Sequence, residues 1–474
     1  MNFLKSCLQG PAPLVSALLV STLFASASSA QDAAPREPFR LHSAINAPDW
    51  LTFEGSHRAR YSGLANQYRP GLGESDQAIS LRTLVTLEAD AGVFATGVEF
   101  QDARAYLTDD NSGASTIVIN SVALLQAWVA LQLDDALVDG ASVDVRLGRQ
   151  TIDLGSRRLV ARNRFRNTIQ NYTGVTVDRT HDDARVYAFL VMPVRVEPGN
   201  GDREALLSNE IAFDQENPNQ RFWGGFYQQR GLPAGLFTEA YIYGINEQDD
   251  PGNFETANRQ VYTPGLRIAR SASAGDWDAE LENVVQFGTR NVTAAPTDND
   301  SRSVFAHYHF ASAGYTFAHA WAPRVAWELD YATGQRAGGD QYTRFDSLYG
   351  PRRAEFGPTG IYGPMGRENI VSQGVRMSAK PHPRLSAFVS WRANWLAVPS
   401  DTFARFGVRD PAGNSGNFAG HQLEFMSRFW VVPQSIQWEL GAAGFFNGEF
   451  IETAPNATGF GNTYFAYTDV SLFF

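Results

Sequence analysis

Apolar and polar side chains alternate with a period of two through most of the chain, which is the signature of extended strands with unlike faces. Ile79, Leu81, Thr83, Val85 and Leu87 fall on one face, opposite Ser80, Arg82, Thr86 and Glu88, with Leu84 the one exception. Val325, Trp327, Leu329 and Tyr331 oppose Glu328 and Asp330, while Trp277, Leu281, Val285 and Phe287 oppose Asp278, Glu280, Glu282 and Gln286. In the segment after Leu385, Ala387, Val389, Trp391 and Trp395 oppose Ser386, Ser390, Arg392 and Asn394. The pattern predicts strands at 50–61, 77–89, 92–104, 119–133, 142–151, 172–180, 184–195, 221–229 and 236–247, then at 260–272, 276–289, 303–318, 324–333, 368–380, 384–396, 417–431, 435–448 and 463–474. That is eighteen strands, or sixteen, because 172–180, 184–195 and 221–229 carry the weakest pattern. Soluble sandwiches use strands of about five or six residues. Most of these segments are longer and suit tilted strands that cross a bilayer.

The connections test this reading independently. Asp90-Ala91, His181 to Asp183, Ser273 to Gly275, Pro381 to Pro383 and Val432 to Gln434 are tight. They alternate with long stretches rich in Gly, Asp, Asn and Ser at 105–118, 196–220, 290–302, 334–367 and 397–416. Short turns at one rim and long loops at the other are the rhythm of bacterial outer-membrane barrels, and an even strand count returns both termini to the periplasm. The last segment puts Tyr464, Ala466, Thr468, Val470, Leu472 and the terminal Phe474 on one face. A final strand of this kind, ending in Phe474, is what barrel-assembly machinery takes as its partner. The expected fold is therefore all-β, a transmembrane up-and-down antiparallel barrel, closed so that no backbone group is left unpaired in lipid.

Composition adds a leader. Lys5 precedes an apolar stretch from Leu14 to Ala25, and Ser28-Ser29-Ala30 before Gln31 reads as a cleavage site, so residues 1–30 are a signal peptide and 31–474 a single barrel domain. About twenty residues separate that site from the first strand, too few for a plug domain. The one cysteine, Cys7, lies in the leader, which leaves the mature chain without disulfides or thiol chemistry. Beyond Gln31 no apolar run approaches the roughly 18 residues of a membrane helix. The net charge of -11 becomes -12 without Lys5, and an acidic chain argues against nucleic acid as a partner. The expected partners are outer-membrane lipid and lipopolysaccharide.

Only Lys380 accompanies the arginines of the mature chain. Seven arginines crowd into 146–166: Arg146, Arg149, Arg157, Arg158, Arg162, Arg164 and Arg166. Guanidinium stays charged at any relevant pH and binds carboxylates through two parallel hydrogen bonds, so arginines lining a pore attract anions. Strand phase places Arg82, Arg146, Arg376, Arg392 and Arg428 in the lumen, together with Glu88, Glu282, Glu328, Asp330 and Glu424, with which some would pair. Arg149, Arg157 and Arg158 complete the candidate electropositive lining. No cofactor or metal is expected: the chain has no nucleophile elbow or Walker loop, and His307 and His309 share a strand face without a third ligand. Gly357, Gly360, Gly363 and Gly366, among Pro351, Pro358 and Pro364, mark a loop with special backbone angles. The acidic loop residues Asp109, Asp110, Asp249, Asp250, Asp298 and Asp300 read as a solvated outer surface.

The run Arg146-Leu147-Gly148-Arg149-Gln150, followed by Leu154-Gly155-Ser156-Arg157-Arg158-Leu159-Val160 and by Asn167 to Gly174-Val175, resembles the signature of the alginate export domain. The resemblance implies an eighteen-stranded barrel with an electropositive constriction for a polyuronate, with Arg146 and Arg149 in that constriction. The expectation is a porin-like outer-membrane channel, not an enzyme, for an anionic saccharide such as an alginate-like chain, or for a small organic anion. A structural or adhesion barrel with a closed lumen, and an outer-membrane hydrolase, are the alternatives.

Overall fold

The computed structural model describes residues 38–474 apart from 136, 137, 251, 253, 364, 405 and 406. The expected signal peptide lies outside the described residues. Eighteen long strands form the wall: β1 Leu51–Ala65, β2 Asp76–Asp90, β3 Phe94–Tyr106, β4 Asn120–Asp134, β5 Ala141–Gln150, β6 Tyr172–His181, β7 Ala184–Arg195, β8 Gln220–Leu232 and β9 Leu236–Glu247. They continue as β10 Gln260–Arg270, β11 Asp276–Asn291, β12 Ser301–Thr316, β13 Arg324–Ala332, β14 Ile370–His382, β15 Leu385–Trp395, β16 Phe418–Val432, β17 Ile436–Asn447 and β18 Thr463–Phe473. The three weakest segments of the sequence pattern are all strands, so the count is eighteen rather than sixteen.

Each strand pairs antiparallel with its sequence neighbours, and β18 closes the sheet on β1 through the register from Ser56↔Phe473 to Ala65↔Tyr464. Phe474 extends the closure by exchanging both backbone hydrogen bonds with Gly55, at 2.8 and 3.0 Å. The barrel has no free edge, which is what a sheet in hydrocarbon requires.

Burial is inverted relative to a soluble domain. Trp277, Val129, Leu147 and Phe100 are exposed on the outer face, while Glu239, Glu282, Asp330, Arg392 and Asn394 are buried inside. Large apolar residues stay exposed because lipid is their solvent, and charged ones are sheltered because the lumen supplies partners. At the short-turn rim the β2–β3 connection shows how a tight turn is made. Ala91 N–H donates to the Phe94 carbonyl at 2.8 Å, Gly92 adopts φ +82°, and its N–H is held by Asp90 Oδ1 at 2.8 Å.

Two long loops turn inward, and they decide the shape of the lumen. Loop A, residues 151–171 between β5 and β6, crosses from the β1–β2 side to β11. Loop B, residues 333–369 between β13 and β14, contains the short helix Arg353–Phe356. Gly357, Gly360 and Gly363 in loop B have positive φ, in agreement with the glycine spacing.

Candidate functional site

Loop A is held against the wall by arginines that bond to its backbone. Arg58 of β1 donates to the carbonyls of Arg164, Phe165 and Arg166 at 3.1, 3.0 and 2.9 Å and to Asn167 Oδ1 at 3.1 Å. Arg82 of β2 donates to the Arg164 and Arg166 carbonyls at 3.2 and 2.9 Å. Arg60 reaches the Phe165 carbonyl at 2.9 Å, lies over the Phe165 ring at 3.9 Å and pairs with Asp469 at 2.7 Å. Arg162 pairs with Glu99 at 2.6 Å, and Arg164 is exposed, with no ion pair among the described residues. A carbonyl satisfies an N–H without cancelling the charge. Five guanidinium groups on this side, at Arg58, Arg60, Arg82, Arg162 and Arg164, thus share two bonded carboxylates, Glu99 and Asp469, which leaves this wall positive.

The opposite wall is built differently. Arg158, at the far end of loop A, bonds Glu282 at 2.6 Å, Glu355 of loop B at 2.9 Å, and Glu280. Arg267 bridges Glu239 and Glu280 at 2.9 and 2.8 Å, Arg324 pairs with Asp278 at 2.5 Å, and Arg367 pairs with Glu355. Arg392, fully buried, pairs with Glu328 at 2.7 Å and with Asp330, while Arg376 reaches Glu328 at 3.1 Å. Here six arginines meet seven carboxylates, and no positive charge is left over.

The two loops meet in the lumen. Val160 and Tyr349 form an isolated parallel bridge, and Tyr349 N–H donates to the Leu159 carbonyl at 3.0 Å. The approach is so close at Gly350 that a Cβ there would lie 1.6 Å from the Arg158 carbonyl oxygen, so no other residue fits without moving a loop. Burial opposes ionisation of both Arg158 and Glu355. Its carboxylate neighbours nevertheless hold the Arg158 guanidinium well above its ordinary value, and Arg367 and Arg158 hold the Glu355 carboxyl well below the usual carboxylate range.

At the long-loop rim a cavity of about 540 Å³ opens, lined by Arg195, Arg259, Arg290, Arg344, Tyr342 and Asp346 among others. Arg290 stacks over Tyr342 at 4.0 Å. At the short-turn rim a cavity of about 350 Å³ is lined by Arg40, Glu54, Glu99, Arg162 and Phe474 among others.

The residues expected from the sequence fall into distinct surroundings. Arg82 and Arg146 face the lumen; Arg146 lies over the Trp128 ring at 3.7 Å and only 3.5 Å from Asp144. Arg157 is half-exposed in loop A and bound to Asp153 at 2.6 Å. Arg158, Arg376 and Arg392 form the neutralised wall, and Arg428 is paired with Glu439. The expectation for Arg149 needs correction. It shares the outer face with exposed Leu147, and there it binds Glu216, in the 196–219 connection, at 2.5 Å and the Leu124 carbonyl at 3.2 Å. Arg146 and Arg149 are three positions apart, and an odd spacing on a strand reverses the face. His307 and His309 also face outward, away from the lumen, with ring nitrogens 2.9 Å apart. Arg58, Arg60 and Arg290 were absent from the sequence expectation. Arg58, Arg60 and Ser62 alternate with Ala59 and Tyr61, a phase that would have revealed the first two, but Gly55, Ala59 and Gly63 on the outward face make it faint.

The alginate export family model matches residues 49–464. No curated protein sequence matches the chain. Among solved structures, the outer-membrane protein OpdK of Pseudomonas aeruginosa, crystallised with vanillate, superposes with a TM-score of 0.55 at 11% identity, over 89% of this chain and 98% of that one. OccD3 (OpdP) of the same organism gives 0.54 at 11%, over 90% and 91%. OccAB1 of Acinetobacter baumannii gives 0.53 at 11%, over 89% and 96%.

Proposed function

The chain belongs to the alginate export family, and from that premise we propose that it is an outer-membrane channel through which a polar, anionic solute, such as an acidic oligo- or polysaccharide, diffuses. One observation carries the anionic part. Arg58 and Arg82 spend their hydrogen bonds on carbonyls of loop A, and Arg164 beside them is exposed, so the passage along this wall keeps unpaired positive charge. Such a wall concentrates anions and raises the barrier to cations. Arg164 is the group free to take a solute carboxylate, and Arg58 and Arg82 supply field rather than contact. The presence of vanillate, a carboxylate, in a crystal of OpdK is consistent with this reading.

The experiment is the reversal potential of purified protein in a planar bilayer under a potassium chloride gradient. A potential of the sign set by chloride supports the proposal, and one set by potassium refutes it. The crossing of loops A and B favours one second reading, a lumen closed at rest. Absence of any unitary current, in protein shown to be folded by heat-modifiable migration, selects that reading.

A further inference from the structure

Most of the outer face of β11 is apolar, from Trp277 through Leu281 to Val285 and Phe287, all exposed. Asn283 stands in the middle of that series, and beside it on β12 stand His309, its register partner, and His307. The three side chains form a hydrogen-bonded row. His309 Nδ1 lies 2.7 Å from Asn283 Oδ1, and His307 Nδ1 lies 2.9 Å from His309 Nε2. The His307 ring then stacks on Tyr331 of β13, with centroids 5.5 Å apart at 21°. With Asn283 Oδ1 accepting, His309 donates from Nδ1 and accepts at Nε2 from His307 Nδ1–H, which makes His309 neutral; His307 is neutral too because an unpaired charge facing hydrocarbon is costly. The row therefore ends in an amide donor, Asn283 Nδ2, on the β11 side and a free acceptor, His307 Nε2, on the β13 side. Neither end meets a hydrogen-bonding partner among the described residues.

Polar groups facing hydrocarbon are costly unless something satisfies them. A donor at one lateral end and an acceptor at the other is the arrangement that a two-fold axis along the membrane normal makes self-complementary: each donor of one copy then faces the acceptor of the other. We propose that the β11–β13 face is the interface of a symmetric dimer, with Asn283 Nδ2 of one copy donating to His307 Nε2 of a second copy and Leu281, Val285 and Phe305 packing around the row. This inference rests on the barrel's lying in a membrane and not on which solute it passes.

The test uses the full mature chain in lipid nanodiscs large enough for two barrels. Mass photometry should give the mass of two chains for the parent protein. The variant Asn283→Leu/His307→Leu/His309→Leu should give the mass of one, with unchanged heat-modifiable migration as the sign of a folded barrel. Because the mature chain has no native cysteine, Val285→Cys should form an intersubunit disulfide in native membranes, and Leu87→Cys, on another sector of the wall, should not. A parent protein of one-chain mass, a triple variant that remains double, or equal cross-linking at both cysteines would each overturn the proposal. Channel selectivity is read separately, so its failure leaves this result standing, and the converse.

Discussion

The two walls of the lumen use the same residue for opposite ends. On the β1–β2 side arginines bond to carbonyls and keep their charge; on the β11–β15 side they bond to carboxylates and lose it. The difference follows from what each wall receives. Loop A brings backbone carbonyls to the first wall, whereas β9, β11 and β13 bring acids to the second, at Glu239, Asp278, Glu280, Glu282, Glu328 and Asp330. A guanidinium count alone does not report a pore's charge. What matters is the partner each guanidinium finds.

Removing a charge from the neutralised wall should have the largest effect on stability. Arg158→Met leaves Glu280, Glu282 and Glu355 facing one another with one fewer cation, and breaking a buried pair from one side costs about 3–5 kcal/mol. The temperature at which the barrel stops migrating as a compact species should fall markedly, while Arg164→Met should leave it in place. Equal temperatures for the two variants would mean that the second wall is hydrated and its pairs are not structural.

The crossing between the walls is the next lever. Gly350→Ala forces a methyl group against the Arg158 carbonyl, and relieving such overpacking costs about 1–3 kcal/mol, so the loops should part rather than the barrel unfold. Single-channel conductance should rise. A conductance equal to that of the parent would show that ions pass elsewhere and that the crossing is not the constriction.

Charge reversal on the positive wall should act on selectivity and barely on stability. Arg164→Glu places an acid where the exposed guanidinium stood, and surface changes of this kind stay within about 0.5 kcal/mol. The anion-to-cation permeability ratio should fall several-fold. Arg146→Glu should shift it in the same direction, and Arg149→Glu should not, because Arg149 lies outside the lumen; instead that variant should expose the 196–219 connection to added protease by breaking its pair with Glu216. Selectivity that follows Arg149 as strongly as Arg146 would undo the assignment of faces.

That last contrast marks where the sequence was readable and where it was not. Strand positions, the tight turns and closure by the terminal segment followed from period two, because a strand's alternation is a local property of the chain. Even the weak strands at 172–180 and 184–195 were real. Arg149 was assigned to the lumen through its resemblance to a family signature, although its odd spacing from Arg146 already placed it on the other face. The inward folding of loops A and B was not readable, because it depends on contacts such as Arg158–Glu355, nearly two hundred residues apart in sequence. The outward histidines were visible as a pair, but Asn283 drew no notice, being one polar residue in an apolar series. Arg58 was hidden by the same distance effect, since its role comes from loop A carbonyls about 106–108 residues away.

The smallest expected effect is that of mild acid, and its smallness is diagnostic. Glu355 joins the loop crossing to the neutralised wall, and its carboxyl titrates well below its ordinary value of 4.5 because Arg367 and Arg158 outweigh the cost of burial. A carboxyl whose folded value is depressed contributes stability that is fully present above its unfolded value and is lost only as pH falls through the folded one. Between pH 7 and pH 5 the Glu355 contacts should therefore hold, with no change in conductance and none in protease access to loop B. Both should change only in stronger acid, well below pH 4.5. If the loops part by pH 5, Glu355 is not what fastens them, and the contacts of loop A with the positive wall would have to be what holds the crossing in place.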